Sequence, residues 1–213
     1  MTDYFIVIIA SLVTSGVTLY SGFGLGTALL PVFALFFPLE TAIAATALVH
    51  GANNVFKISL VGAKADRGLV LRFGLPAIGA ALAGAAAMGY VSHFGELFEY
   101  RIGPVSAVIT PLKLTLAVLM IFFALFELLP SLRNLRFDRG YLFVGGLLSG
   151  FFGGFSGHQG ALRSAFLVKV GVSTEAFVGT NAVIGFLVDA MRLSVYAWMF
   201  LVAGEGSPIA AGQ

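Results

Sequence analysis

The chain has 213 residues, of which 59% are hydrophobic and only 10% charged. A soluble domain carries about 25% charged residues, so this composition cannot clothe a water-facing surface and reads as an integral membrane protein. A formal charge of +2, spread over scattered Lys and Arg, argues against a nucleic-acid partner, and the absence of Cys excludes disulfide frameworks, thiol nucleophiles and cysteine-ligated metals.

Spanning about 30 Å of hydrocarbon takes about 20 apolar residues, with about 17 as the lower limit. Tyr4 to Tyr20 meets that rule as a first helix. No Lys or Arg precedes Lys57, so the positive leader of a cleaved signal peptide is missing and the first run is expected to stay as a span. Gly22 to Phe37 reads as a short second helix, interrupted by Pro31 and stopped near Pro38. Leu39 to Gly62 is a third, unusually rich in polar side chains. After the loop Lys64-Ala65-Asp66-Arg67 a fourth helix runs from about Leu69 to Val91, and its Gly74, Gly79, Gly84 and Gly89 suit close helix packing in lipid. A longer connector, His93 to Thr110, precedes a fifth helix from Pro111 to Leu129 that opens with Pro where a helix tolerates it. Pro130 to Arg139 is a second basic loop. The sixth helix covers Gly140 to Phe155, a short seventh His158 to Val170, and an eighth Ser173 to Val202. The polar, Gly-rich tail from Ala203 to Gln213 is expected to be disordered.

Charge sets the expected topology. Lys64, Arg67 and Arg72 in loop 64–72, and Arg133, Arg136 and Arg139 in loop 130–139, place both loops in the cytoplasm by the positive-inside rule. Two spans separate them, which is self-consistent, and the connector between those spans then lies outside.

Two Gly-rich breaks, Ser21-Gly22-Phe23-Gly24-Leu25-Gly26 and Ser156-Gly157-His158-Gln159-Gly160, each open an apolar segment too short for an ordinary span. At an offset of 134 residues Gly26 meets Gly160, Thr46 meets Thr180 and Gly51 meets Gly185. The third helix runs inward and the eighth outward, so the repeat is inverted. Paired short, Gly-interrupted segments of this kind mark the binding site of secondary transporters. The expected fold is therefore all-α and integral to the membrane: about eight helices in one membrane domain, with residues 1–129 as first repeat plus connector helices and 130–202 as second repeat. The second copy looks incomplete, either because the chain is truncated or because a partner completes it; separately, the expected partners are a small anionic substrate, the lipid bilayer and further copies of the chain in a homo-oligomer.

Thr46, His50, Asn53, Asn54 and Lys57 recur at three- and four-residue spacing along the third helix, and Thr180, Asn181, Asp189 and Arg192 along the eighth. A charge at membrane depth costs about 2.5–3.5 kcal/mol on insertion scales, so such groups face the protein interior or water. Lys57 and Arg192 could instead snorkel from helix ends, Asp189 and Arg192 could simply neutralise each other, and the asparagines could be interhelical glue. His158, Gln159 and Arg163 fall in the first turns after the second break. A helix N-terminus offers unpaired N–H groups and partial positive charge, a ready anion site, and two such ends beside Arg163 would form an electropositive cradle. The alternative is that the glycines only permit tight turns and Arg163 reaches the headgroups. Ser21, Thr27 and Ser156 are hydroxyl donors that fit either reading, and Lys169 suits a membrane boundary. His50 and His158 are candidates for proton coupling or for neutral hydrogen bonding. No zinc-protease, nucleophile-elbow or phosphate-loop motif occurs, and three scattered His do not have metal-ligand spacing. No enzyme activity, metal or cofactor is expected.

With these residues the chain resembles the sulfite exporter TauE/SafE family, also called the toluene-sulfonate uptake permease family. The likeness rests on Ser21-Gly-Phe-Gly-Leu-Gly-Thr-Ala-Leu-Leu-Pro31, Ala44-Ala-Thr-Ala47, Ser156-Gly-His-Gln-Gly-Ala-Leu-Arg163, Gly179-Thr-Asn181 and Asp189-Ala-Met-Arg-Leu-Ser-Val-Tyr196, within residues 5–200. It implies an inner-membrane permease moving small anions, such as sulfite or organosulfonates, commonly outward. Members usually carry further helices after the position of Tyr196, and many have a denser glycine run than Gly22 to Gly26. The expected anion contacts are Gly22, Gly24, Gly26, Gly157, His158, Gln159, Gly160 and Arg163, with Thr46, His50, Asn53, Asn54, Thr180 and Asn181 lining the path. Lys57, Asp189 and Arg192 are expected to serve coupling or a structural ion pair. A passive anion channel and a non-transporting membrane scaffold or partner subunit are the rival readings.

Overall fold

In the computed structural model, which describes residues 2–21, 25–103 and 105–202, polar side chains lie inside and large apolar ones outside. Thr46, Ser149, Gln159, Thr180, Asp189 and Arg192 are almost fully buried, whereas Leu12, Leu35, Leu48, Leu128, Phe143 and Trp198 face outward. Water as solvent would reverse that arrangement. Hydrocarbon dictates it, because polar groups there must find partners within the protein.

The helices are α1 (Thr2–Ser21), α2 (Leu25–Ala34), α3 (Leu39–Val61), α4 (Leu75–Ser92), α5 (Pro111–Leu128), α6 (Leu142–Ser156), α7 (Gly160–Leu167) and α8 (Thr174–Val202). By length and composition, the stretches Arg67–Ser92, Pro111–Leu128 and Thr174–Met199 can each cross a membrane. The all-α membrane class holds, and the helix positions agree with expectation to within a few residues at most ends. Pro31 is one difference: it sits inside α2 and does not interrupt it. Only one turn follows Pro31 before the helix stops at Ala34, so a single missing N–H is all the helix must tolerate. The fourth helix is entered through a single turn, Arg67–Leu69, and a π-turn, Val70–Gly74.

The His93–Thr110 connector contains an antiparallel hairpin, β1 (Phe98–Ile102) and β2 (Val105–Ile109), with Phe98 opposite Ile109 and Ile102 opposite Val105. Its signal is the period-two alternation Phe98-Glu99-Tyr100-Arg101-Ile102, followed by Gly103 at φ 60°. Among the described residues the hairpin is the one sheet element, a small exception to the helical architecture.

Close packing is densest where α4 meets α6. Gly146, Gly150 and Gly154 recur every fourth residue on α6. A Cβ at these positions would stand 2.3 Å from the Phe73 carbonyl oxygen, 2.1 Å from that of Ala77 and 2.1 Å from that of Ala81. Backbone cannot yield as a side chain can, so the seam requires glycine. On the facing helix only Gly84 answers it, against the Phe151 carbonyl; Gly79 faces open space. The packing expected of the fourth-helix glycines is seen at Gly84 against α6 and at Gly74 and Gly89 against Ile184 and Met199 of α8, but not at Gly79; at the α6 seam itself the glycines of α6 supply most of the close approach, with Ala77 and Ala81 on the other side. Gly150→Ala should destabilise the protein by about 1–3 kcal/mol, the usual cost of overpacking, measurable as reduced resistance to unfolding in detergent.

α8 runs against α3, with Gly179 over the Val61 carbonyl. At that end Lys64 pairs with Glu175, and Lys169 Nζ stands 2.6 Å from Asp138. Phe137 stacks on Phe166 with centroids 4.3 Å apart. Both basic loops therefore border the junction of α7 and α8.

Candidate functional site

Two short helices begin at one cavity. α2 has 10 residues and α7 has 8, lengths of about 15 and 12 Å at 1.5 Å per residue. Each covers about half of a hydrocarbon core about 30 Å thick. Leu25, Gly26 and Thr27 open α2, Gly160 and Ala161 open α7, and all five line the same cavity. The tips touch: a Cβ on Gly26 would stand 2.9 Å from the Gly157 carbonyl oxygen. First-turn N–H groups lack intrahelical partners and carry the positive end of the helix dipole, so both helices aim partial positive charge at one space.

Local sequence explains the turn. Gly157 closes α6 at φ 83°, a left-handed conformation open to glycine, and its N–H donates to Phe152 O and Gly153 O. Gln159 N then donates to Gly157 O at 3.0 Å, and Ser149 Oγ donates to Gln159 O at 3.1 Å, which pins the loop to α6.

Arg163 lies one turn into α7 and is 5% exposed, so it does not reach the headgroups. Its Nε donates to Asn181 Oδ1 at 2.7 Å and its Nη1 to Gln159 Oε1 at 2.9 Å. Gly185 makes room, since a Cβ there would meet Asn54 Nδ2 at 2.8 Å and the guanidinium at 3.2 Å. Gln159 is fixed in turn by Asp189, whose Oδ1 accepts from Gln159 Nε2 at 3.2 Å while Oδ2 accepts from Asn54 Nδ2 at 2.9 Å. Arg192 Nη2 stands 2.8 Å from Asp189 Oδ1, an ion pair by distance within one turn of α8. Arg192 is fully buried, so the snorkelling alternative fails. The same holds for Lys57, which is 8% exposed and donates to Thr18 O at 3.2 Å. Asn53 Nδ2 donates to Ser15 O at 3.3 Å, so both residues tie α3 to the backbone of α1.

His158 stacks flat on Phe123, centroids 5.3 Å apart, and its Nδ1 sits 3.0 Å from Ser156 Oγ. Its Nε2, like that of His50, is buried at the cavity with no hydrogen-bond partner among the described residues.

Of the residues expected at the site, Gly26, His50, Asn53, Asn54, Lys57, Gly157, His158, Gln159, Gly160 and Arg163 line this cavity together. Asn181 lines a second cavity, bounded also by Phe177 and Val178, which meets the first at Thr18, Asn54, Lys57 and Arg163. Asp189 and Arg192 stand behind the lining. Thr46 and Thr180 do not line either of these cavities: Thr46 Oγ1 donates to Ala42 O on its own helix, and Thr180 Oγ1 accepts from Asp66 N at the loop end. Gly22 and Gly24 lie outside the described residues.

Thr18, Phe123 and Glu127 also line the cavity, three residues that the spacing of polar side chains did not single out. Glu127, on α5, lines the cavity and accepts from Thr27 Oγ1 at 3.1 Å. An acid near the end of an otherwise apolar span was the available signal. Among the described residues no group of three or more His, Cys, Asp or Glu stands together as a metal site would require.

Comparison with known families matches residues 6–212 to the model of the sulfite exporter TauE/SafE family. No curated protein and no solved structure matches the chain. The family comprises membrane permeases for sulfite-like anions, which are transporters and not enzymes. With essentially its whole length matched, the chain belongs to the sulfite exporter TauE/SafE family of integral membrane transporters.

Proposed function

We propose that this protein is a secondary transporter that exports a small oxyanion of the sulfite type by alternating access around the cavity between α2 and α7. One observation carries the reading: two half-length helices aim their N-termini into one buried space beside the guanidinium of Arg163. The cavity leaves about 40 Å³ to the centres of water molecules, room for roughly three of them. That size favours an inorganic oxyanion over a bulky organosulfonate. Gly26, Gly157 and Gly160 would admit it to backbone N–H groups, and Arg163, His158, Gln159, His50, Asn53 and Asn54 would surround it.

The second cavity, which shares Thr18, Asn54, Lys57 and Arg163 with the first as lining residues, supports a gated path over an open pore. Asn181 stands on its far side. The pairing of α2 with α7 and of α3 with α8 supports an inverted repeat, with 1–129 and 130–202 as its halves. Both basic loops sit at one end, which supports a cytoplasmic placement in the inner membrane.

Reconstitution tests the reading. The purified chain in liposomes should take up sulfite saturably, ahead of sulfate, thiosulfate and larger sulfonates. Flux that follows voltage linearly without saturating would replace the carrier with a channel.

A further inference from the structure

Glu127 is out of place in an anion site. It projects from α5 into the same cavity as Arg163, half-buried, and its one described hydrogen bond accepts from Thr27 in the first turn of α2. An ionised carboxylate about 5 Å from a bound monovalent anion, at an effective dielectric near 20, would weaken binding by roughly two orders of magnitude. A protonated carboxyl would instead offer the anion an O–H donor. We propose that Glu127 is the proton carrier of this transporter: the oxyanion and one proton occupy the cavity together and cross together. This rests on the anion-transport reading above.

The surroundings leave Glu127 as the acid in that space. α2 carries no titratable group, and α7 contributes Arg163, with His158 in the loop before it. Across the cavity α3 presents His50 and Lys57. On α5 itself Lys113 lies at the opposite end, and Arg133 is the next charge along the chain after Glu127. Tyr90 on α4 and His93 just beyond its last residue lie towards the end that adjoins the hairpin connector. Asp189 is the other nearby acid, and Arg192, Asn54 and Gln159 already occupy it.

No bond is made or broken beyond the carboxyl O–H. The proton enters from the side on which the anion binds, sits on Glu127 while the anion is bound, and leaves to water on the other side. Linkage makes the coupling reciprocal: protonation favours anion binding and anion binding favours protonation by the same factor. Net transport therefore follows the sum of the anion and proton gradients: export runs when the outward sulfite gradient exceeds the inward proton gradient, and an acid exterior reverses it into uptake. The Thr27 hydroxyl, which donates to the ionised carboxylate, ties this exchange to the tip of α2.

The test uses the full chain in proteoliposomes with labelled sulfite as probe, comparing an acid exterior with equal pH on both sides, for the native protein and Glu127→Gln. The amide imitates the protonated acid. The native protein should accumulate sulfite well above its equal-pH level when the exterior is acid, and its sulfite affinity at alkaline pH should be at least tenfold weaker than that of Glu127→Gln. The variant should lose the gradient-driven accumulation. If Glu127→Gln accumulates sulfite as the native protein does, the proton rides on the anion itself and the proposal is overturned. If the native protein takes up no sulfite under either condition, the anion-transport reading falls, and the coupling with it. Should Glu127→Gln not fold, Thr27→Val gives the second measurement. Loss of its hydroxyl donor should move the pH of half-maximal uptake upward, and an unmoved profile overturns the proposal.

Discussion

Replacing Arg163 with alanine is expected to weaken sulfite binding by roughly thirty- to several thousandfold, the range found when one partner of a buried charge pair is truncated, about 2–5 kcal/mol. The guanidinium is held by Nε on Asn181 and by one Nη1 hydrogen on Gln159. Among the described residues those two bonds leave the rest of the donor fork for an anion at the tip of α7. Arg163→Lys separates charge from geometry. An ammonium keeps the positive field but cannot span Gln159 Oε1 and Asn181 Oδ1 as a planar fork does, so its affinity should fall between alanine and the native protein. Equilibrium binding of sulfite to purified protein makes the measurement, with unfolding in detergent as the control for fold. Native affinity in the alanine variant would remove Arg163 from the site, and with it the main reason for placing the anion there.

Much of this candidate site is legible in the sequence, because the bilayer limits what a sequence can mean. A span needs about 20 apolar residues, so α2 and α7 announced themselves as too short, and the glycines before them as backbone open to a ligand. Polar residues at helical spacing on an apolar span have nowhere to point but inward, which is why His50, Asn53, Asn54 and Lys57 stand together. What spacing could not convey was which hydroxyls satisfy themselves. Thr46 and Thr180 share the polar faces of α3 and α8, yet one donates to Ala42 O and the other accepts from Asp66 N. Nor could it convey partners that arrive from other helices: Phe123 under His158 and Glu127 beside Thr27 come from α5, whose pattern reads as plain lipid-facing helix. The hairpin was visible as alternation over Phe98–Ile102, but five residues are a weak signal beside spans of eighteen or more.

The ion pair behind the cavity yields the second large expectation. Asp189→Ala should destabilise the protein by about 3–5 kcal/mol, the cost of leaving one member of a buried pair uncompensated. Arg192 would remain fully buried with no carboxylate nearby, and its Nε and Nη1 already make no hydrogen bond among the described residues. The same carboxylate holds Asn54 of α3 and Gln159 at the start of α7, so its loss frees two side chains that shape the cavity, and Gln159 is a support of Arg163. A double replacement, Asp189→Leu with Arg192→Leu, divides the two roles. Removing both charges should recover much of the stability, because a buried pair is often no better than apolar packing. It should not recover sulfite binding, since leucine cannot accept from Gln159 or Asn54. Unfolding in detergent reads the first quantity and sulfite affinity the second. Binding restored in the double variant would mean that Asp189 serves only to neutralise Arg192, and that the tip of α7 is positioned by Ser149 and Asn181 without it.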